Sequence, residues 1–255
     1  KWIPRAISYS KMKRKTKKKR KSLTRGLLRL LVKLNKELSL LEQKEDSTGF
    51  TGQYQQRRRT IEKIIDQQSA KFYQQETPQG AIVSIDKPYI RPIVRGKEIK
   101  KVEFGAKVHK LQIDGISFLE HLSYDAFHEG NRLVHTIYRA QKLTRTKVKL
   151  LGADAIYATN ANRKVLTKAE IQTDFKPKGR QGSHAKHKSL LRMMITKERA
   201  SRLEGSFGTD KEYFLLNRIK ARTQKTETFW IFIGIHTSNA LKIGKRMAKA
   251  LAMAA

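Results

Sequence analysis

Lys147-Val-Lys-Leu-Leu-Gly-Ala-Asp154 is the stretch on which the fold turns. Its compact apolar centre predicts a short buried strand that delivers an acid at its C-terminal end, and strand ends of that kind commonly carry function. Working outward, Gly130 to Lys142 reads as a helix. Further upstream, Val102, Phe104, Ala106 and Val108 alternate with Glu103, Gly105, Lys107 and His109, the period of a half-buried strand. A phase slip falls near Lys110, Asp114-Gly115 proposes a hairpin turn, and Ile116 to Tyr124 is the returning strand. Downstream, Ile171-Gln-Thr-Asp-Phe175 predicts a further strand, followed by a basic loop, Lys176-Pro-Lys-Gly-Arg-Gln-Gly-Ser-His184, and then helices. Phe229 to Ile235 has strand propensity, but its continuation to Ala255 through alanines and lysines favours a closing helix. Strands, helix, strand, helices is an α/β or α+β order with a small central sheet.

The first 80 residues read differently. Residues 1 to 40 hold 15 Lys+Arg and a single acid, Glu37, with the densest run from Lys11 to Lys21. Such a run is a solvated basic face, a phosphate-binding face, or both. Leu27, Leu31, Leu34, Leu38 and Leu41 then recur at alternating spacings of four and three, predicting a helix from Ser22 to Gln43 with one apolar stripe. Tyr54, Ile61, Ile65 and Phe72 mark a second amphipathic helix, and the two are expected to pair as an antiparallel hairpin. Leucines so spaced are packing far more often than a dimer seam. Thr77-Pro-Gln-Gly80 breaks the helical pattern, so the domains are expected to be 1-80 and 81-255.

Composition narrows the partner. The chain has 56 Lys+Arg against 22 Asp+Glu, a formal charge of +34, which makes a polyanion, nucleic acid first, the expected ligand. The longest apolar run, Phe229 to Ile235, is far short of the about 18 residues that a membrane span needs, and a cytoplasmic, nucleoid-associated protein is expected. With no cysteine in 255 residues, disulfides, thiol nucleophiles and cysteine zinc sites are excluded, so any metal is held by oxygen or histidine. His184-x-x-His187 is the one near-ligand histidine spacing, and it sits in the basic loop.

Among so many bases, Glu204 in Lys197-Glu-Arg-Ala-Ser-Arg-Leu-Glu-Gly-Ser-Phe-Gly-Thr-Asp-Lys211 needs a cationic partner. A divalent metal working on a phosphodiester reconciles guarded acids with a basic surface. Taken singly, Asp154 is also an ordinary turn former, Glu204 an ordinary salt-bridging residue and Lys211 an ordinary surface lysine.

Four runs decide between these readings: Arg91-Pro-Ile-Val-Arg-Gly-Lys97, Val102-Glu-Phe-Gly-Ala-Lys107, Ala153-Asp-Ala-Ile-Tyr-Ala-Thr-Asn-Ala-Asn-Arg163 and Arg202-Leu-Glu-Gly-Ser-Phe-Gly-Thr-Asp-Lys211. In this order they resemble the DDE transposases of the insertion-sequence-five superfamily, over most of the chain to about Arg246. The resemblance implies an RNase H-like core with a small mixed sheet flanked by helices, with the basic helical hairpin as an insertion. It implies a polynucleotidyl transferase that binds the terminal inverted repeats of an element, and its target, as double-stranded DNA, acting as a homodimer with Mg²⁺ or Mn²⁺. Asp154 matches the second family aspartate, Glu204 the glutamate, and Lys211, after six intervening residues, the lysine of the Tyr-Arg-Glu-Lys signature. The position of the signature arginine is Ala200, with Arg199 one step off the expected helical face and Arg202 on the other side. Phosphate contacts fall to Lys13, Arg14, Lys17, Lys18, Arg20, Lys178, Arg180, Arg199 and Arg202.

The first family aspartate precedes the basic insertion, and the chain begins at Lys1 rather than methionine. The expectation is a C-terminal part of a longer transposase, without the first strand. The alternative is that Asp86, ending Ile82-Val-Ser-Ile-Asp86, is the third metal ligand. Two Mg²⁺ ions about 3.5–4 Å apart activate the attacking oxygen and stabilise the leaving one, and such ions take few carboxylates plus water and phosphate oxygens. The competing class is a non-catalytic basic nucleic-acid-binding protein whose acids are only structural.

Overall fold

The computed structural model describes residues 2–44, 51–94, 102–179 and 185–254. The chain is a mostly helical α/β protein with three two-stranded sheets among the described residues. It divides into two compact units, Lys1–Phe104 and Gly105–Ala255, so the break falls between two short strands rather than at Gly80.

In the first unit α1 (Trp2–Lys11) precedes α2 (Lys17–Lys44) and α3 (Gly52–Ser69). The indole of Trp2 lies so close over Gly26 that a Cβ there would stand 2.1 Å from the ring, so only glycine fits. Helix α2 starts at Lys17, earlier than Ser22: Thr16 Oγ1 accepts from the Lys19 amide at 3.4 Å, as an N-cap does. The leucine stripe buries α2 only in part, with Leu27, Leu31 and Leu38 half-buried. Leu34 and Leu41 are 51% and 58% exposed, whereas Leu28, outside the stripe, is buried. The two helices are joined by a polar clasp instead. Buried Arg58 donates to Asn35 and, at 3.0 Å and 2.6 Å, to Glu42 and Ser39, while the Tyr54 hydroxyl donates to Glu42 at 2.6 Å. Asn35, Ser39 and Glu42 recur at i, i+4 and i+7, so they share one helix face. Beyond α3, β1 (Pro92–Val94) pairs antiparallel with β2 (Val102–Phe104).

In the second unit β3 (Lys107–Ile113) and β4 (Ile116–Ser123) form an antiparallel hairpin. Asp114 and Gly115 at its turn have φ of 45° and 77°, the left-handed pair that a two-residue hairpin needs. The register shifts between His109 and Lys110, where the sequence slips phase. The single strand suggested by the alternation from Val102 is divided at Gly105, whose φ of 124° suits glycine alone. Helix α4 (Leu133–Thr144) leads into β5 (Leu150–Leu151), and α5 (Asn160–Lys168) into β6 (Gln172–Thr173), which pairs parallel with β5. Leu133, Ile137, Tyr157, Leu166, Ile171 and Phe175 make the core of this half. The strand of the opening stretch is shorter and less buried than expected, with Leu150 55% exposed. Helices α6 (Ala185–Glu198), α7 (Gly205–Glu212) and α8 (Gln224–Ala254) follow, so Phe229 to Ile235 is helical. Asn239 of α8 bridges the Ser117 backbone, accepting from its N–H at 2.9 Å and donating to its C=O at 2.6 Å. None of the described helices is long and apolar enough to cross a membrane.

Candidate active site

Asp154 stands three residues beyond β5, in extended conformation at the head of a short 3-10 turn, Ala155–Tyr157, where its carbonyl accepts from the Tyr157 amide at 3.0 Å. The turn is pinned from below. Asn162, buried, donates to the carbonyls of Gly130 and Tyr157 at 2.8 Å and 2.9 Å. Burial, and after it the negative charge of Glu129, push the Tyr157 phenol above its ordinary value, so it stays neutral. The Asp154 carboxylate itself is open to solvent, with 65% of the side chain exposed.

Glu204 reaches the same place from the C-terminal side. Helix α6 does not continue as an α-helix but passes into a π-helical turn, Arg199–Glu204, before α7. A π turn bonds i to i+5 and so brings residues five apart onto one face. Arg199 and Glu204 are five apart. The Arg199 guanidinium Nη1 lies 3.2 Å from Glu204 Oε1, and the same nitrogen donates to Asp154 Oδ1. The expectation that Arg199 is off the helical face fails for this reason: the additional residue in the turn rotates it back.

A further acid joins them that the sequence reading passed over. Asp174, just after β6, has a side chain only 5% exposed, accepts from the Ala153 amide at 3.1 Å, and lies 3.2 Å from Arg199 Nε, as an ion pair without hydrogen-bond alignment. Its signal was available, because an acid close to the end of a predicted strand, here Ile171 to Phe175, is nearly the pattern that singled out Asp154. Thus Asp154, Asp174 and Glu204, from two parallel strand ends and a helix, share one guanidinium. Carboxylate oxygens are the donors a hard divalent cation takes. Among the described residues, however, no three metal-ligating side chains stand close enough to hold an ion, and Arg199 is the cation the acids now share.

The helix carrying Glu204 is anchored to the sheet by Lys110 of β3. Its buried ammonium donates to Ser206 Oγ and Asp210 Oδ2, both at 2.7 Å, and lies 4.0 Å from the Phe207 ring centre. Burial pulls the Lys110 pKa down, with Asp210 opposing. Lys211, next in the chain, is exposed. Glu120 of β4 is another buried acid, held by Arg132 at 2.6 Å and His109 at 2.6 Å.

Residues 151–238 match the family described as transposase DDE domain. That segment is similar to a DDE transposase. It spans Asp154, Asp174, the π turn and Glu204, and it supports a transposase function and the divalent-ion chemistry such domains generally use. No curated protein and no solved structure matches the chain.

The other expected residues lie each within its own unit. Asp86, in the first unit, is exposed and paired with Arg57 at 2.7 Å. Lys13, Arg14, Lys17, Lys18 and Arg20 are all exposed around the start of α2, whose first turn contains no acid. Lys178 donates to Asn160 at 2.7 Å, and Arg202 is shared between Asp114 and Glu198 at 2.8 Å and 2.7 Å. Arg180 lies outside the described residues, as does His184.

Proposed function

We propose that this protein is a DDE-type DNA transposase with an RNase H-like catalytic core, of the insertion-sequence-five kind, in which Asp154 and Glu204 are metal ligands and Lys211 holds a DNA phosphate. The observation that carries the proposal is the convergence of Asp154 and Glu204, 50 residues apart, on Arg199 within the segment that matches the DDE domain. Acids this far apart in the chain, exposed and yet gathered, suit a centre that exchanges one cation for another.

The chain's own residues divide the work. Lys13, Arg14, Lys17, Lys18 and Arg20, set at the positive end of the α2 dipole, engage the phosphates of element ends and target DNA and release counterions. Asp154 and Glu204 would hold Mg²⁺ or Mn²⁺, which supplies Lewis-acid activation of the attacking and leaving oxygens. Arg199, which now pairs with both carboxylates, would be available to the substrate phosphate when they hold the ion, a planar guanidinium being suited to that contact. Lys110, through Asp210, keeps α7 and Glu204 at a set height over β3. Within residues 1–255 Asp86 is the candidate for the remaining family aspartate, and two protomers act on one pair of element ends.

The test is Mn²⁺ binding by calorimetry together with Mn²⁺-dependent nicking of labelled duplex DNA. The protein is expected to bind Mn²⁺ and to nick, and Asp154→Ala and Glu204→Ala each abolish both nicking and Mn²⁺ binding. Unchanged Mn²⁺ binding in either variant refutes the ligand assignment. The second reading is favoured by the neutralisation of both acids by Arg199: a non-catalytic DNA-binding protein, which would bind duplex DNA tightly and Mn²⁺ not at all.

A further inference from the structure

Helix α3 presents two different faces. Tyr54 and Arg58, four residues apart, carry the clasp to α2. Gln56, Arg59, Lys63 and Gln67 recur at spacings of three and four on the other side of the helix. That second face lines a cavity of about 500 Å³ within the first unit. Its opposite wall is the chain that follows the helix, through Gln79, Gly80 and Ile82, with Pro88 and Arg91 beyond them. Gln67 fastens the two walls together. Its Nε2 donates to the Gly80 carbonyl at 3.3 Å, and its Oε1 accepts from the Ile82 amide at 3.0 Å. Arg91 is held in place as well, because its Nη1 donates to the carbonyls of Pro88 and Ile90.

The charge of this cavity is one-sided. Its described lining contains three cations, Arg59, Lys63 and Arg91, and no Asp or Glu. Neighbouring arginines of α3 are compensated: Arg57 pairs with Asp86 at 2.7 Å, and Arg58 with Glu42 at 3.0 Å and Glu62 at 3.3 Å. Arg59 and Lys63 are exposed and enter no such pair with a described residue. Three like charges around one hollow raise its potential and draw in an anion. Cavities of this size hold a small ligand rather than a length of duplex. An internal phosphodiester carries a single charge and a chain that continues on both sides of it. A terminal phosphomonoester carries about −1.5 to −2 at pH 7, offers three acceptor oxygens, and can enter a hollow end-on. Beside the cations, the side-chain amides of Gln55, Gln56 and Gln79 each offer donors and an acceptor, the combination that pairs with a base edge.

We propose that this cavity binds one nucleotide by its terminal phosphate, with Arg59, Lys63 and Arg91 holding the phosphomonoester and the glutamine amides meeting the base. Two sources share that chemistry, the phosphorylated end of a DNA strand and a free nucleoside monophosphate. The site uses neither Asp154 nor Glu204. It rests on the reading of this chain as one that acts on DNA, and it adds to the run from Lys13 to Arg20 a place where strand ends are told from strand interiors.

The probes are a short fluorescent duplex bearing either a 5′-phosphate or a 5′-hydroxyl, followed by anisotropy, and dAMP, followed by calorimetry. The 5′-phosphate is expected to tighten duplex binding about tenfold, the worth of one charged hydrogen bond. Arg59→Gln combined with Lys63→Gln is expected to remove that difference while the hydroxyl-ended duplex is bound as by wild type. Both side chains are exposed, so the double variant is expected to fold. In the wild type, replacing chloride by excess inorganic phosphate at equal ionic strength should erase the same difference, which tests the pocket without any substitution. Equal binding of the two duplexes together with dAMP binding that the double variant loses assigns the pocket to free nucleotide. Equal binding of the duplexes and no dAMP binding overturns the proposal, as does a difference that the double variant keeps. Mn²⁺ binding separates this from the functional proposal: a phosphate preference without Mn²⁺ binding retains the pocket and removes the metal centre, and Mn²⁺ binding with neither preference nor dAMP binding does the reverse.

Discussion

Arg199 and Glu204, five residues apart, face the same way, with Nη1 3.2 Å from Oε1, because the turn between them is π-helical rather than α-helical. In an α-helix a spacing of five moves a side chain about 500° round the axis, well away from its start. The wider turn removes that offset. Its consequence is that one guanidinium holds three carboxylates, of which Asp174 is the most buried.

Arg199→Gln is expected to destabilise the second unit by about 1–3 kcal/mol, chiefly because Asp174 is left buried with only the Ala153 amide. The exposed Asp154 and Glu204 contribute little to that cost. Saturating Mn²⁺ should raise the melting temperature of the variant more than that of the wild type, since the ion replaces the missing cation. Equal shifts in differential scanning fluorimetry would show that Arg199 and the ion do not compete.

Lys110→Met should cost about 3–5 kcal/mol, since it leaves Asp210 buried and uncompensated. Lys110→Met combined with Asp210→Leu should recover most of it, because an apolar pair needs no desolvation of charge. Urea unfolding of both variants checks this. If the double variant is no more stable than the single one, the pair does more than neutralise itself.

Burial raises the Glu120 carboxyl pKa, but hydrogen bonds from Arg132 and His109 outweigh it and bring it below its usual 4.5. A depressed carboxylate stabilises the fold above its unfolded value, and that contribution is lost as pH falls through the folded value. Glu120→Gln should therefore be less stable than wild type at pH 7, by about 1.5–3 kcal/mol for each charged hydrogen bond lost. The two stability curves should converge below about pH 4.5. Parallel curves down to pH 3 in thermal melts would contradict this.

Replacing Lys17, Lys18 and Arg20 by Gln should weaken duplex binding uniformly across sequences and lower the slope of log affinity against log salt by about three. Fluorescence anisotropy between about 50 and about 300 mM salt measures it. An unchanged slope would place the phosphate contacts elsewhere.

Much of the second unit was legible because its signals are local. The Asp114-Gly115 turn, the phase slip at Lys110 and the helical continuation of Phe229 to Ile235 each follow from residues within a few positions of one another. The leucine stripe of α2 misled for the opposite reason. Period selects a face but not what meets it, and here the α3 face supplies Arg58, so Asn35, Ser39 and Glu42 form the join while Leu34 and Leu41 face solvent.

By itself the sequence determined a strongly basic chain without cysteine, the hairpin, the closing helix, and Asp154 and Glu204 as the acids to watch, because charge, turn chemistry and motif spacing are properties of neighbouring residues. Only the tertiary structure decided that Arg199 turns inward and that Asp174 joins the two acids. Those relations depend on a helical turn with one residue more than usual and on strand ends that are distant in the chain. Such geometry arises only when packing brings the backbone of one element against the edge of another.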